Sequence, residues 1–357
     1  MSERTRLVVL FGGQSAEHEV SLVTARHVLA ATDADRYDIE PIAIQKDGRW
    51  ILADDAARAL AAGPDALPEA LPTTGTETSP LPAIAATTGE RVVVLPLLHG
   101  PLGEDGTVQG LLELADVPYV GCGVLASALA MDKAKSKELF AANGLPQAEW
   151  SSFHESQASD ETFIAQLVDE LGFPLFVKPA NMGSSVGVSK ARDTDELRAA
   201  LMNAAQHDEW LVVEEAVVGR EIECAVLGNL EPRASLPGEI EPGADFYDYD
   251  DKYHDGRAKL LIPAPLPEQV TLEIQALACE AFTVLRCEGM ARVDFFYEEN
   301  GRGLLINEVN TIPGFTPVSM YPQMWQASGL AYSDLIDELI QLAIERYDRR
   351  AAKRRRT

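Results

Sequence analysis

Two short runs constrain this chain more than any other feature: Ala291-Arg292-Val293-Asp294-Phe295-Phe296 and Leu305-Ile306-Asn307-Glu308-Val309-Asn310. Each is apolar and β-prone, yet each carries charged or amide groups at alternate positions. Side chains two apart in a strand share a face, so Arg292 goes with Asp294 and Glu308 with Asn310. If the two strands pair, two carboxylates, an amide oxygen and a guanidinium converge. Oxygen-only ligands that leave room for water and phosphates suit Mg²⁺. Taken alone, the four residues fit equally well an Arg–carboxylate cluster that only ties two strands together.

The rest of the chain alternates strand and helix patterns, which predicts an α/β fold with a parallel sheet over the first 120 residues or so. Strands are expected at 7–11, 37–44 and 91–95, with an amphipathic helix at about 20–31. Residues 53–90 are rich in Ala, Pro, Thr and Gly, and read as a low-complexity surface excursion with short strands near Trp50 and Ile84. One helix is expected over 127–142, then strands at 175–178, 211–215, 221–227, 291–297 and 303–309, and helices at 194–206 and 332–347.

Composition removes several function classes. The net charge of −26 argues against a nucleic-acid-binding body. No apolar run approaches the roughly 20 residues that span a membrane, and the four cysteines show no zinc-like spacing, as expected for buried thiols in the cytoplasm. The exception is RYDRRAAKRRRT from Arg346 onward, with seven basic residues and one acid. This tail is expected to be solvated, disordered and dispensable. An acidic protein can still hold a triphosphate, because beyond a Debye length of ~8 Å distant charges matter little.

Two glycine-rich stretches invite wrong readings. GGQSAEHE follows the first strand but lacks the GxGxxG spacing and the ribose-binding acid of a dinucleotide fold. Gly183-Ser184-Ser185-Val186-Gly187 matches GxSxG, with Asp248 or Asp250 and His254 downstream. A nucleophile elbow needs a helix after the turn, whereas here VGVSKARD is β-like. A cover over phosphates fits better, since glycines allow close approach and backbone N–H groups donate to anionic oxygens.

Lys133 in MDKAKSK and Lys178 in FVKP are placed to neutralise triphosphate oxygens. LVVEEAVVGREIE reads as an adenine edge, with backbone groups of Glu215, Ala216 and Val217 for the base and Glu221 for the ribose hydroxyls. The turn from Asn310 to Pro317 offers amides suited to a carboxylate or a developing oxyanion.

In combination, FGGQSAEHEVS, LLHGPLGEDGTVQG, MDK, VKPANMGSSVGVSK, VEEAVVGREIE, FYDYDDKY, ARVDFF and NEVNTIPGFTPVSMYP resemble the ATP-grasp superfamily and, within it, the D-alanine–D-alanine ligases. The resemblance runs from about residue 7 to 337, apart from the insert; Ala180-Asn181-Met182 is a departure that leaves the implied reaction unchanged. It implies an open-sheet N-terminal domain (1–126) followed by a two-lobed ATP-grasp fold, with a central lobe at 127–213, a C-terminal lobe at 214–345 and the tail at 346–357. It implies a cytoplasmic homodimer that uses ATP and two Mg²⁺ or Mn²⁺ ions to join two D-alanines for peptidoglycan precursors. The rivals are a same-fold ligase making D-alanyl-D-lactate or D-alanyl-D-serine, and a non-catalytic nucleotide-binding protein.

The roles implied by the resemblance fall on matching positions. Glu17 would hold the ammonium of the first D-alanine, while Arg292 and the Gly314 amide would hold its carboxylate and then the tetrahedral intermediate. Ser184 and Tyr253 would join Glu17 around the second substrate, and Lys252 would reach the transferring phosphoryl group. Ser319 and the Met320 amide would hold the second carboxylate, and His99 would lie near the substrates. Lys133, Lys178, Glu214 and Glu221 would contact nucleotide, and Asp294, Glu308 and Asn310 would bind metal. Tyr253 favours an amine nucleophile, since lactate-using relatives carry histidine in that loop.

Overall fold

The computed structural model describes residues 4–87, 89–241 and 259–354. Lys252 and Tyr253, and with them Asp248, Asp250 and His254, lie outside the described residues.

Three sheets organise the chain. The first contains β1 (Thr5–Gly12), β2 (Tyr37–Ile44), β3 (Trp50–Leu52), β4 (Thr76–Thr78) and β5 (Val92–Pro96), in the order β4-β3-β2-β1-β5. β1 runs parallel to both β2 and β5, and residues 7–11 are fully buried, as expected of a central parallel strand. Helices α1 (His18–Ala31), α2 (Asp54–Ala61), α3 (Pro80–Ile84) and α4 (Thr107–Leu114) accompany it. At the end of β1 the chain turns at Gly12 (φ +91°), where a Cβ would stand 2.3 Å from the Ile44 carbonyl oxygen. That contact leaves glycine as the residue that fits.

The 53–90 insert is more ordered than its composition predicts. β3 and β4 extend the sheet antiparallel, and Leu67 and Leu71 are buried against its core. Ile84 is buried too, but in helix α3 rather than in a strand. A few well-spaced apolar side chains are enough to dock the segment, whatever its average polarity.

The expected single helix over 127–142 is two helices, α5 (Val124–Met131) and α6 (Lys133–Ala142). They break at Asp132, whose carboxylate accepts from the Lys135 N–H at 3.0 Å and caps α6. The central sheet follows: β6 (Trp150–His154), β7 (Leu175–Pro179), β8 (Ser189–Ala191) and β9 (Trp210–Glu215), in the order β6-β9-β7-β8, covered by α7 (Glu161–Leu171) and α8 (Thr194–Ala204). The expected divisions at 126/127 and 213/214 fall inside α5 and β9, and Ala126, Ala130 and Phe140 of α5 and α6 pack with the core of the third sheet.

The third sheet holds β10 (Arg220–Gly228), β11 (Arg233–Ala234), β12 (Gly238–Glu241), β13 (Lys259–Leu261), β14 (Gly289–Glu298) and β15 (Gly303–Asn310). Its main order is β13-β12-β10-β14-β15. Helix α9 (Glu268–Val284) packs on one face. On the other, α10 (Met320–Ala327) and α11 (Tyr332–Arg354) share one core with the first sheet.

The basic tail is the continuation of α11. Arg346 is 3% exposed, and its guanidinium donates to the carbonyl oxygens of Tyr119 (2.6 Å) and Gly121. Arg350 bridges Glu113 at 2.8 Å and Glu288 at 2.6 Å, and Arg354 pairs with Asp116 at 2.8 Å. Up to Arg354 the expectation of a disordered tail is wrong, because its charges meet acids and carbonyls contributed by two other parts of the chain. No described helix is long and apolar enough to cross a membrane.

Candidate active site

β14 and β15 pair antiparallel, placing Asp294 opposite Glu308 and Arg292 opposite Asn310. The register slips by one residue just after Asp294; this bulge interrupts the alternation and lets Asn307 join its neighbour Glu308 in facing other groups. Arg292 grips Asp294 with two bonds of 2.7 Å, and Asn310 donates to the same carboxylate at 2.9 Å. Arg292 also lies 3.1 Å from Glu223, a buried acid of β10 directly opposite Asp294. Burial alone would discourage the guanidinium charge, but Asp294 and Glu223 outweigh it and hold Arg292 well above its ordinary range.

The opposite wall comes from the first sheet's loops and the glycine-rich turn. Ser184 donates to the Glu17 carboxylate, and a Cβ on Gly183 would press within 3.3 Å of the same carboxylate. Ser184 and Ser185 both have positive φ (48° and 58°), a conformation that costs energy in a non-glycine residue and often marks a functional turn. The turn leads into β8, not into a helix, so no nucleophile elbow exists here.

His99 Nδ1 lies 3.1 Å from the Ile312 carbonyl, to which it donates. In a neutral ring this leaves Nε2 as an acceptor. Burial favours that neutral ring by lowering the pKa, against the pull of Glu17. Nε2 is buried and has no partner among the described residues. Glu104 accepts N–H bonds from Gly100 (2.7 Å) and Ile312 (3.2 Å), and burial together with the Glu17 charge pushes its carboxyl up to about 8.

One cavity of about 530 Å³ brings together Glu17, His99, Lys133, Ser184, Arg292, Glu308, Asn310, Gly314, Ser319 and Met320. Ser319 precedes α10, so the Met320 amide sits in its first turn, where unpaired N–H groups and the helix dipole favour an anion. Lys133 donates to the Met182 carbonyl at 2.6 Å and lies 3.7 Å from Glu308. Asp294 stands behind this wall, turned to Arg292 and Asn310, in the strand-tying arrangement that the sequence left open.

The expected nucleotide contacts form a second group. Lys178 donates to Glu214 at 2.8 Å and lies 3.3 Å from the Asn307 amide oxygen. Glu214 is 2% exposed. Burial opposes its charge, but Lys137 and Lys178 overcome this and hold it down at about 2. Glu214 is thus not an open acceptor for a nucleotide, because its carboxylate is engaged by two lysines. The N–H groups of Glu215 and Ala216 already bond to the Glu149 and Pro174 carbonyls at 3.1 and 2.9 Å. Of the expected adenine edge, Val217 and the backbone carbonyls are left to meet a base. Glu221 lies on β10 two residues before Glu223, hence on the same face.

Four residues of these clusters carried no role in the sequence reading: Glu104, Lys137, Glu223 and Asn307. For Glu223 the signal was present, since Glu221 and Glu223 alternate in an apolar strand. For Lys137 it was the four-residue spacing from Lys133 on one helical face.

This geometry is matched by known proteins along almost the whole chain. Residues 6–122 match the family model for the D-ala D-ala ligase N-terminus, and residues 139–341 that for its C-terminus. The chain belongs to the D-alanine–D-alanine ligase family. A D-alanine–D-alanine ligase of Arthrobacter sp. is 50% identical over 364 residues, covering 96% of this chain and 95% of its own length. That of Thermoanaerobacter sp. (strain X514) is 47% identical over 353 residues, 97% and 98% of the two chains. The structure of the D-alanine-D-alanine ligase from Coxiella burnetii superposes with a TM-score of 0.83 at 39% identity, over 99% of this chain and 98% of that one. VanG D-Ala:D-Ser ligase from Enterococcus faecalis gives 0.81 at 35% identity, over 96% and 100%. The ATP-grasp architecture expected from the motifs is therefore the fold of this family member.

Proposed function

We propose that this chain ligates two D-alanines into D-alanyl-D-alanine, converting ATP to ADP and phosphate, for peptidoglycan precursor synthesis. The observation that carries the reading is the cavity in which Glu17 and Ser184 face Arg292 and Gly314, in a chain that holds both halves of the family. Glu17 anchors the first ammonium, and His99, an acceptor at Nε2, suits one of its hydrogens. Arg292 and the Gly314 N–H receive the first carboxylate. A carboxylate is a poor electrophile, so it is phosphorylated first, a step that depends on positioning and charge neutralisation. Lys133 and Lys178 supply positive charge for the phosphates.

Asp294, Glu308 and Asn310 form an oxygen-only donor set that suits Mg²⁺ or Mn²⁺. Among the described residues no three His, Cys, Asp or Glu side chains converge as a preformed metal site. This suits ions, two in our reading, that complete their shells with phosphate and water. Asp294 would help hold such an ion only if it gave up part of its grip on Arg292. Bound there, the metal would neutralise phosphate charge.

The second amine then attacks the acyl phosphate, with its own carboxylate held by Ser319 and the Met320 amide. Arg292 and the Gly314 N–H face the tetrahedral oxyanion, where one such donor contributes roughly 3–4 kcal/mol. Ser184, with Tyr253, orients the attacking amine, and Lys252 reaches the phosphoryl group. A cover to which residues 183–187 contribute excludes water, which would hydrolyse the acyl phosphate. The four cysteines are free thiols, which supports a cytoplasmic home, and we take the active species to be a homodimer.

The likeness to the D-Ala:D-Ser ligase gives the second reading a definite form. Purified protein with ATP, Mg²⁺ and D-alanine, in competition with D-serine and D-lactate, should yield D-alanyl-D-alanine as the main product. Preferential formation of D-alanyl-D-serine or D-alanyl-D-lactate would replace this reading.

A further inference from the structure

Lys137 lies one helical turn after Lys133 on α6, and only 1% of it is exposed. Its ammonium sits 3.3 Å from one oxygen of Glu214, while the other oxygen accepts from Lys178 at 2.8 Å. The Lys137 contact is ionic rather than a well-directed hydrogen bond, since neither Lys137 Nζ nor that Glu214 oxygen finds a hydrogen-bond partner among the described residues. Removing a lysine from water is costly, and a chain rarely keeps one inside without use for its charge. Burial pulls the Lys137 ammonium below its ordinary range, while Glu214 pulls it back up. With Glu214 ionised and both lysines protonated, the buried group of two ammoniums and one carboxylate carries a net positive charge. The whole chain carries −26.

We propose that Lys137 is a positioning residue for nucleotide binding, sharing Glu214 so that Lys178 keeps its charge available to ATP. This rests on the reading of Lys178 as a nucleotide contact. Without Lys137, Glu214 neutralises Lys178 alone and draws it away from the phosphates. With Lys137 in place, Glu214 is held from both sides, and Lys178 stands between Glu214 and Asn307 with a donor to spare. The bulge at Asn307 adds to the arrangement by bringing its amide oxygen within 3.3 Å of Lys178.

The test is steady-state kinetics on the full chain with K137M, K178M, E214Q and K137M/E214Q, with melting temperature recorded for each. K137M keeps the length of the side chain and removes the charge. It should raise the KM for ATP about tenfold or more, with kcat and the KM for D-alanine within about threefold of normal. K137M/E214Q removes one charge of each sign and restores the net positive charge on Lys178. Its KM for ATP should therefore return toward the wild-type value, a rescue that a purely structural role would not produce. If K178M raises the KM for ATP while K137M leaves it unchanged, or if the double variant binds ATP no better than folded K137M, the inference fails. If K178M itself leaves the KM for ATP unchanged, the nucleotide reading of Lys178 fails instead. Should K137M not fold, the double variant decides alone: a KM for ATP as high as that of K178M overturns the inference.

Discussion

Removing the last turns of α11 should destabilise the protein, contrary to what the composition of that segment predicts. The sharpest perturbation is Arg346→Met. Its guanidinium is buried and donates to two carbonyl oxygens, those of Tyr119 and Gly121, and lies 4.3 Å from the centre of the Tyr119 ring. Hydrogen bonds from a charged group contribute about 1.5–3 kcal/mol each, and stranded buried carbonyls add to the cost of losing them. The cation–π contact adds about 0.5–2 kcal/mol. Against this stands the burial of the charge, which pulls Arg346 below its ordinary range. A net loss of about 2–4 kcal/mol follows. Arg350 and Arg354 pair at partly exposed sites, and after solvent screening each pair contributes about 0–1 kcal/mol. Truncation after Glu345 should thus cost about 3–5 kcal/mol, a fall in Tm on the order of 4–7 °C for a chain of this size. Arg346→Lys should recover little of the loss, because one ammonium does not reproduce the planar fork that reaches two carbonyls. Differential scanning fluorimetry of the truncated chain, Arg346→Met and Arg346→Lys measures this directly. A truncated protein melting within about 1 °C of the full chain would refute the reasoning.

Asp294→Asn and Glu308→Gln should each lower turnover by roughly 10²–10⁴ with the fold intact; near-normal turnover of a folded variant at ordinary Mg²⁺ would leave these residues as a strand-tying cluster alone. Glu17→Gln and Ser184→Ala should be strongly non-additive in a double-mutant cycle on turnover, since the two side chains share one hydrogen bond. Fully additive losses would place them in separate roles. Glu104, pushed up to about 8, keeps its proton in the folded chain well above the pH at which the unfolded chain loses it. Its contribution to stability is therefore full below about pH 4.5 and lost as pH rises through about 8. Glu104→Gln should flatten the decline in Tm across that window, and identical pH–Tm curves for variant and wild type would contradict the assignment.

The alternation of apolar and charged residues in 291–296 and 305–310 was enough to pair Arg292 with Asp294 and Glu308 with Asn310. Strand periodicity is a local property, written in each residue's own backbone. The same holds for the strands of the first sheet and for the turn of residues 183–187, whose β-like continuation in the sequence argues against a hydrolase. The ordered series of motifs carried the family. Asn307 faces Lys178 because of a bulge, which depends on how two strands settle against each other. Glu214 turned from an expected nucleotide contact into a buried bridge because Lys137 and Lys178 approach it from a helix and a neighbouring strand. In α11, Leu339, Ala343 and Arg346 continue one buried face at helical spacing, so the helix was legible past residue 345. What Arg346 does there was not, since its partners are carbonyl groups more than 200 residues earlier in the chain. Backbone carbonyls are common to every residue and leave no mark in a sequence; only the packing of α11 against that loop selects which two of them Arg346 reaches.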